Sequence, residues 1–247
     1  MAGSSLQTLD RALDLIDILA KAPHPMSAAE LSKRLEISRT AIYAMLNSLQ
    51  ERDYLEKDKE TGRYSINYKI YEMGMLFRRR FPFLQIAQSY TFRLREKWSM
   101  GTHISIYVPG GKILLLTEDY PVGIRIFHEG SIGPAHATAS GKVLLAGLPD
   151  EELEAELKLM PCEAYTPHTI TSKSELLEII KKTRRDGYAV EDQELVIGLA
   201  CFSTPLLDAS GRTIASMSIS GESEKLMKNL NDIIKDGMLA ARGISVY

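Results

Sequence analysis

Ser27 is followed three residues later by Glu30, and Ser38 opens a second amphipathic run after a break of only Glu36–Ile37. This pairing constrains the fold more than any other feature. A serine hydroxyl that accepts the third backbone N–H, while a glutamate reaches back to the serine's own N–H, fixes a helix start from local chemistry alone. The first helix then runs to about Leu35, with Ala28, Leu31 and Leu35 on one face, and the second carries Ile42, Met45, Leu46 and Leu49 on its apolar side. Arg39, Tyr43 and Asn47 recur at i, i+4 and i+8, so they project together from the opposite side. Two short helices across so tight a break, the second polar on its outer face, form a helix-turn-helix pattern.

The flanks extend this pattern. Residues 6–21 read as an amphipathic helix with Leu9, Leu13, Ile16 and Ala20 at helical spacing, stopped by Pro23 and Pro25. Tyr54-Leu55 and Tyr64–Ile66 flank Thr61-Gly62 and read as a hairpin, which after a helix-turn-helix is the wing of a winged helix. Ile70, Met73, Leu76 and Phe77 suggest a connecting helix, ended by Arg78-Arg79-Arg80 and Pro82, and Pro82 can start the next helix, which runs to about Trp98.

Beyond this point strands and helices alternate. Strands are expected over Thr102–Val108, Lys112–Glu118, Gly123–His128, Gly187–Glu191, Leu199–Leu207 and Thr213–Ser220, and helices over Ala139–Gly147, Asp150–Leu159, Ser174–Asp186 and Glu222 to about Arg242. Gly110-Gly111 and Ser210-Gly211 are hairpin turn signals, so the expectation is an α+β chain whose second part has an antiparallel sheet flanked by helices.

B-DNA's major groove admits one α-helix, and side chains near its start reach base edges. Arg39 can donate bidentately to guanine, Asn47 to adenine, and Thr40 or Tyr43 can contact phosphate or a thymine methyl. The helix start at Ser38 offers backbone N–H groups to phosphate. In the wing, Lys57, Lys59 and Arg63 are offset by Glu56, Asp58 and Glu60, which leaves Arg63 as the cationic tip. Net charge is −2, but residues 1–80 hold 13 Lys+Arg against 11 Asp+Glu, so a slightly basic segment is masked by an acidic remainder. The structural alternative is a helical hairpin that serves only packing.

Several chemistries are excluded or demoted. Ala139-Ser140-Gly141-Lys142 lacks the first glycine of a phosphate loop, since His136 stands there, and Val143 replaces the Ser or Thr after the lysine. The segment still opens a helix whose N–H groups can hold a carboxylate. Cys201 sits among Leu199, Ala200 and Phe202, the setting of an inert buried thiol, and no local motif pairs it with a histidine. Glu191-Asp192 with Glu194 reads as a solvated edge unless one of them faces a cavity. No Cys/His spacing matches a zinc site, and no metal or cofactor is expected. Ser218 and Ser220 share one strand face, so their hydroxyls need partners, either neighbouring backbone or a bound polar ligand. Cys162 and Cys201 cannot build a disulfide framework, no uncharged stretch, the 13 residues Leu195–Leu207 included, reaches the length of a membrane span, and no signal peptide is visible; a cytoplasmic chain with no membrane partner is expected.

At the level of whole motifs the chain resembles the IclR family of bacterial transcriptional regulators. The resemblance rests on Met26–Leu31, Leu46–Leu49 and Gly62–Tyr64 in the first part. In the second part it rests on His136–Ala146, Gly187–Glu194, Gly198–Cys201 and Ser216–Gly221. It implies a winged helix-turn-helix over 1–67, a linker helix over 68–81 and a GAF-like effector domain over 82–247. It also implies double-stranded operator DNA as partner, a small organic acid or aromatic effector, and a homodimer or dimer of dimers. The effector residues it implies are the backbone N–H groups of Ala139 and Ser140, with Glu191, Cys201, Ser218 and Ser220. Two departures stand out: Glu191 replaces the usual Asp, and Ala41 and Ala44 stand where the family commonly has Thr and Arg. The competing readings are an enzyme acting on a small acid through Cys201 or Glu191, and a winged helix that binds protein instead of DNA.

Overall fold

The computed structural model describes residues 6–120 and 128–245. The chain divides into two compact units, Met1–Arg80 and Phe81–Tyr247.

The first unit contains α1 (Gln7–Lys21), α2 (Ala28–Leu35), α3 (Arg39–Gln50), β1 (Leu55–Lys57), β2 (Tyr64–Ile66) and α4 (Tyr68–Arg78). The capping box closes as its sequence demands: Ser27 N donates to Glu30 Oε2 at 2.7 Å, and Glu30 N donates to Ser27 Oγ at 3.3 Å. Ser38 Oγ accepts from Ala41 N at 3.2 Å and starts α3. Between the two helices the chain reverses through Glu36, at φ 55°, and Ser32 Oγ donates to the Ile37 carbonyl at 2.6 Å. Leu31, Ile42 and Leu46 are fully buried with Leu15, Leu55 and Tyr64 in one apolar core. The β1–β2 hairpin is antiparallel, and Met26 and Tyr64 exchange backbone hydrogen bonds that fasten it to the segment before α2.

The apolar face of α1 differs from expectation. Leu15 and Leu19 are buried with Ile18 packed beside them, whereas Leu9 and Leu13 are 54% and 55% exposed. Both rows have helical spacing, so periodicity cannot choose between them; contact with α2 and β2 does. The α4 helix contains no buried residue.

The second unit contains α5 (Phe83–Trp98), β3 (Gly101–Val108), β4 (Lys112–Asp119), β5 (Ile132–Pro134), α6 (Ala139–Ala146), α7 (Asp150–Leu159) and α8 (Lys173–Asp186). It continues with β6 (Ala189–Asp192), β7 (Leu199–Leu207), β8 (Thr213–Glu222), α9 (Ser223–Lys228) and α10 (Leu230–Ser245). Among the described residues, six strands form one antiparallel sheet in the order β5-β4-β3-β8-β7-β6. Gly110 and Gly111 both have positive φ, as the tight β3–β4 turn requires.

Strand alternation gives the sheet two unlike faces. One carries Ile104, Phe202, Met217 and Ile219 and packs on α5 and α10 through Phe83, Leu84, Ile233 and Ile244. The other carries His103, Ser105, Glu191, Cys201, Ser203 and Ser218, with α6 over β7 and β8. Gly141 lets α6 pack closely on the segment that follows β5: a Cβ there would lie 2.0 Å from the Ala135 carbonyl oxygen.

Two expectations need revision. The helix expected from Glu222 to about Arg242 is two helices, broken at Asn229, whose side chain donates to the Lys225 carbonyl while its own carbonyl accepts from Ile233 N. Asparagine readily trades helix for such local bonds. The strand expected over Gly123–His128 lies, apart from His128, outside the described residues. The short β5 was not foreseen.

Candidate DNA-reading helix and effector cavity

Ser38, Arg39, Thr40, Tyr43 and Asn47 are all exposed along α3, opposite the buried Ile42, Met45 and Leu46. The structure therefore gathers five of the six sequence-selected residues onto one solvent face, and Ala44 shares it. Arg63 is placed elsewhere. Its guanidinium donates to the Pro25 carbonyl at 2.9 Å and to Glu30 Oε2 at 3.0 Å, the carboxylate of the α2 capping box. Sequence spacing put Arg63 at the wing tip. In space it lies just before β2 and ties the wing to α2, while the turn itself is closed by Asp58, which accepts from Thr61 N and Glu60 N.

The second site lies in the other unit. A cavity enclosing about 60 Å³ of free volume opens on the polar face of the sheet. Ser140, Glu191, Cys201 and Ser220 line it, together with His103, Ser105, Tyr120 and Thr138 and an apolar wall that includes Leu115 and Leu199. The α6 helix starts at its edge. Thr138 caps that helix by accepting from Gly141 N at 3.1 Å, and Thr138 Oγ1 donates to the Pro134 carbonyl.

Two implied effector residues do not line the cavity. Ala139 packs with Val143, Ala189 and Cys201. Ser218 is fully buried, and its hydroxyl is satisfied by Ser140 Oγ at 2.7 Å and Ser203 Oγ at 2.9 Å. Neither neighbouring backbone nor a ligand is needed for Ser218, because neighbouring hydroxyls pair it. Ser220 Oγ, by contrast, is buried without a hydrogen bond of normal geometry.

Burial dominates the electrostatics. It pushes the Glu191 carboxyl up to about 7, reinforced by the Glu194 charge and opposed by the hydrogen bond from Glu194 N. Burial pushes the Cys201 thiol well up and holds the His103 imidazole down at about 4. Burial also raises the Tyr120 phenol to about 12. Cys201 Sγ lies 3.9 Å from His103 Nε2, yet both groups are neutral in this environment, so they form no thiolate–imidazolium pair. Beside them Lys142, 1% exposed, is ion-paired with Glu194. Among the described residues no cluster of His, Cys, Asp and Glu fits a metal ion.

Sequence reasoning missed His103, Ser105, Tyr120 and Thr138. A signal existed for two of them: His103 and Ser105 alternate with Thr102, Ile104 and Ile106, which marks a polar face on a strand buried on both sides. The Lys142–Glu194 pair carried none, because the partners are 52 residues apart.

Residues 79–246 match the bacterial transcriptional regulator IclR C-terminal family, and residues 8–59 match the IclR helix-turn-helix domain. The chain belongs to the IclR family of bacterial transcriptional regulators. It is 29% identical to the HTH-type transcriptional regulator XynR of Escherichia coli over 217 residues, covering 87% of this chain and 86% of XynR. The crystal structure of a transcriptional regulator from Rhodococcus superposes with a TM-score of 0.82 at 28% identity, over 98% of this chain and 97% of that one. An IclR homologue from Microbacterium hydrocarbonoxydans, solved with 4-hydroxybenzoate, has the same fold at a TM-score of 0.82 and 18% identity, over 96% of this chain and 97% of that one. As an IclR regulator the chain has a helix-turn-helix domain and a C-terminal effector-binding domain. No described helix is long and apolar enough to cross a membrane.

Proposed function

We propose that this IclR-family regulator reads a palindromic operator through α3 and releases or engages it according to whether a small organic acid occupies the cavity of its second unit. In this reading residues 1–67 read DNA, 68–81 link, and 82–247 sense. The observation that carries the proposal is the pair of dissimilar sites in separate units of one chain: an exposed polar row on a capped helix, and a largely apolar cavity with a few polar groups set into its lining.

Arg39 donates to guanine O6 and N7, Asn47 pairs with adenine, Thr40 and Tyr43 meet phosphate or a thymine methyl, and the α3 start at Ser38 faces phosphate. Arg63, held by Glu30, supports the wing instead of contacting DNA. A segment with a net charge of +2 is a weak electrostatic footprint, so affinity rests on two copies binding together. The wholly unburied α4, with Met73 and Leu76 exposed, gives a second copy an apolar surface to cover. A homodimer sets its two reading helices about 34 Å apart, one DNA turn, or a multiple of it.

In the cavity, the effector carboxylate is held by the Ser140 N–H, which has no acceptor within the first turn of α6, and by the Ser220 hydroxyl. Neutral Glu191 donates a further hydrogen bond. The homologue crystallised with 4-hydroxybenzoate supports an acid as occupant. We read the chain as a cytoplasmic sensor and not as an enzyme, because burial keeps the Cys201 thiol protonated and a poor nucleophile, and the relatives it matches are named regulators.

The test is selection of bound sequences from a random duplex library, followed by gel-shift titration at two salt concentrations with and without small organic acids. The proposal expects a palindromic, salt-sensitive site whose occupancy changes with an acid. A chain with no salt-sensitive DNA affinity refutes it and leaves the protein-binding winged helix in its place.

A further inference from the structure

Among the described residues, three buried polar atoms that lack a hydrogen-bond partner belong to residues lining the cavity: His103 Nδ1, Ser105 Oγ and Ser220 Oγ. Leaving such groups unpaired costs about 1–3 kcal/mol each, so a molecule that fills the cavity and pairs them gains what the empty protein forgoes. His103 and Ser105 are two apart on β3 and point to the same face. His103 stands opposite Ser218 in the ladder, and Ser218 is bonded to Ser140 at the start of α6. His103 Nδ1 and Ser105 Oγ therefore lie beside the carboxylate position proposed above and are additional to it.

The imidazole's role follows from its neighbour. The Cys201 S–H reaches the Phe202 carbonyl at 3.5 Å, and the tautomer assigned to His103 on that basis carries its proton on the nitrogen facing the sulfur. A neutral imidazole has one donor and one acceptor nitrogen, which makes Nδ1 an acceptor. An acceptor pairs with a hydroxyl and repels a carboxylate. We infer that the effector of this regulator is a hydroxylated acid, with its carboxylate at the start of α6 and a hydroxyl donating to His103 Nδ1 and paired with Ser105.

This rests on the reading of the cavity as the effector site. A site built to hydrogen-bond a hydroxyl discriminates strongly against the analogue without it, since its own polar groups are then left unpaired. The experiment is calorimetric titration of the full chain with matched pairs: lactate and glycerate against propionate, and 4-hydroxybenzoate against benzoate. The first comparison probes an aliphatic hydroxyl and the second a phenol. The expected result is that the hydroxylated member of at least one pair binds at least about tenfold tighter than its deoxy partner. That preference should largely vanish in Ser105→Ala and in His103→Leu, with thermal melting confirming the fold. Equal or tighter binding of the deoxy acid in both pairs overturns the inference and leaves the effector reading intact. Absence of binding by every acid at millimolar concentration overturns both.

Discussion

Burial brings the Glu191 carboxyl up to about 7, so this side chain changes charge across the ordinary working range of a bacterial interior. In the unfolded chain the same group titrates near its usual value of 4.5. Between these two values the folded protein keeps a proton that the unfolded protein releases, and stability falls as pH rises through that window. Glu191→Gln should flatten that dependence and raise stability at pH 8 by about 1–3 kcal/mol, read from denaturant unfolding at pH 5 through 8. A carboxylate effector should bind more weakly above pH 7 in the wild type, where two negative charges meet, and without that loss in Glu191→Gln; titration calorimetry at pH 6 and pH 8 checks this. The Glu191 position was visible in the sequence, but its neutrality was not. A run reading Glu-Asp-Gln-Glu resembles a solvated edge until the fold buries Glu191 and Glu194 and turns Asp192 to Ser223. Ser218 and Ser220 show the same limit: two hydroxyls on one strand face have opposite fates, because α6 brings Ser140 to one and not to the other.

At the scale of elements, local chemistry was legible wherever a single side chain decides the backbone. Ser27, Glu30 and Ser38 fix the starts of α2 and α3 within a few residues of chain, and every bond they promise is present. Ser27→Ala should therefore lower the stability of the first unit by about 1 kcal/mol, seen as an earlier thermal transition of that unit, and it should also loosen Arg63 by freeing Glu30. Arg39→Ala should leave the fold untouched and weaken specific operator binding by about 1–3 kcal/mol in gel-shift titration; an unchanged affinity would remove Arg39 from the reading face. The buried row of α1 and the bracing of the wing by Arg63 were not legible, because each depends on a partner distant in sequence. The break at Asn229 escaped notice for a different reason: asparagine inside a helix is common enough that only its local hydrogen bonds distinguish an interruption.

At the scale of the molecule, a regulator must convert occupancy of one unit into a change in the other, and for an oligomer the coupling is a difference in affinity between two arrangements of paired reading helices. Replacing Met73 and Leu76 of α4 with glutamate should shift the protein towards monomer in sedimentation velocity and weaken operator binding by more than the loss of a single contact, while effector affinity in the second unit stays the same. If the double variant remains oligomeric, α4 is not the surface that the second copy covers. The sequence by itself determined the order of most elements, the capped reading helix, the division into a slightly basic segment and an acidic remainder, and, through its motifs, the family to which the chain belongs, because each is written along the chain. Tertiary structure alone decided which apolar row of α1 is buried, that Arg63 braces the wing, that Lys142 pairs with Glu194, and that His103, Ser105 and Ser220 hold unpaired polar atoms at one cavity. Those outcomes depend on which groups burial removes from water and which partners the packing brings within reach, and neither is encoded in any local pattern.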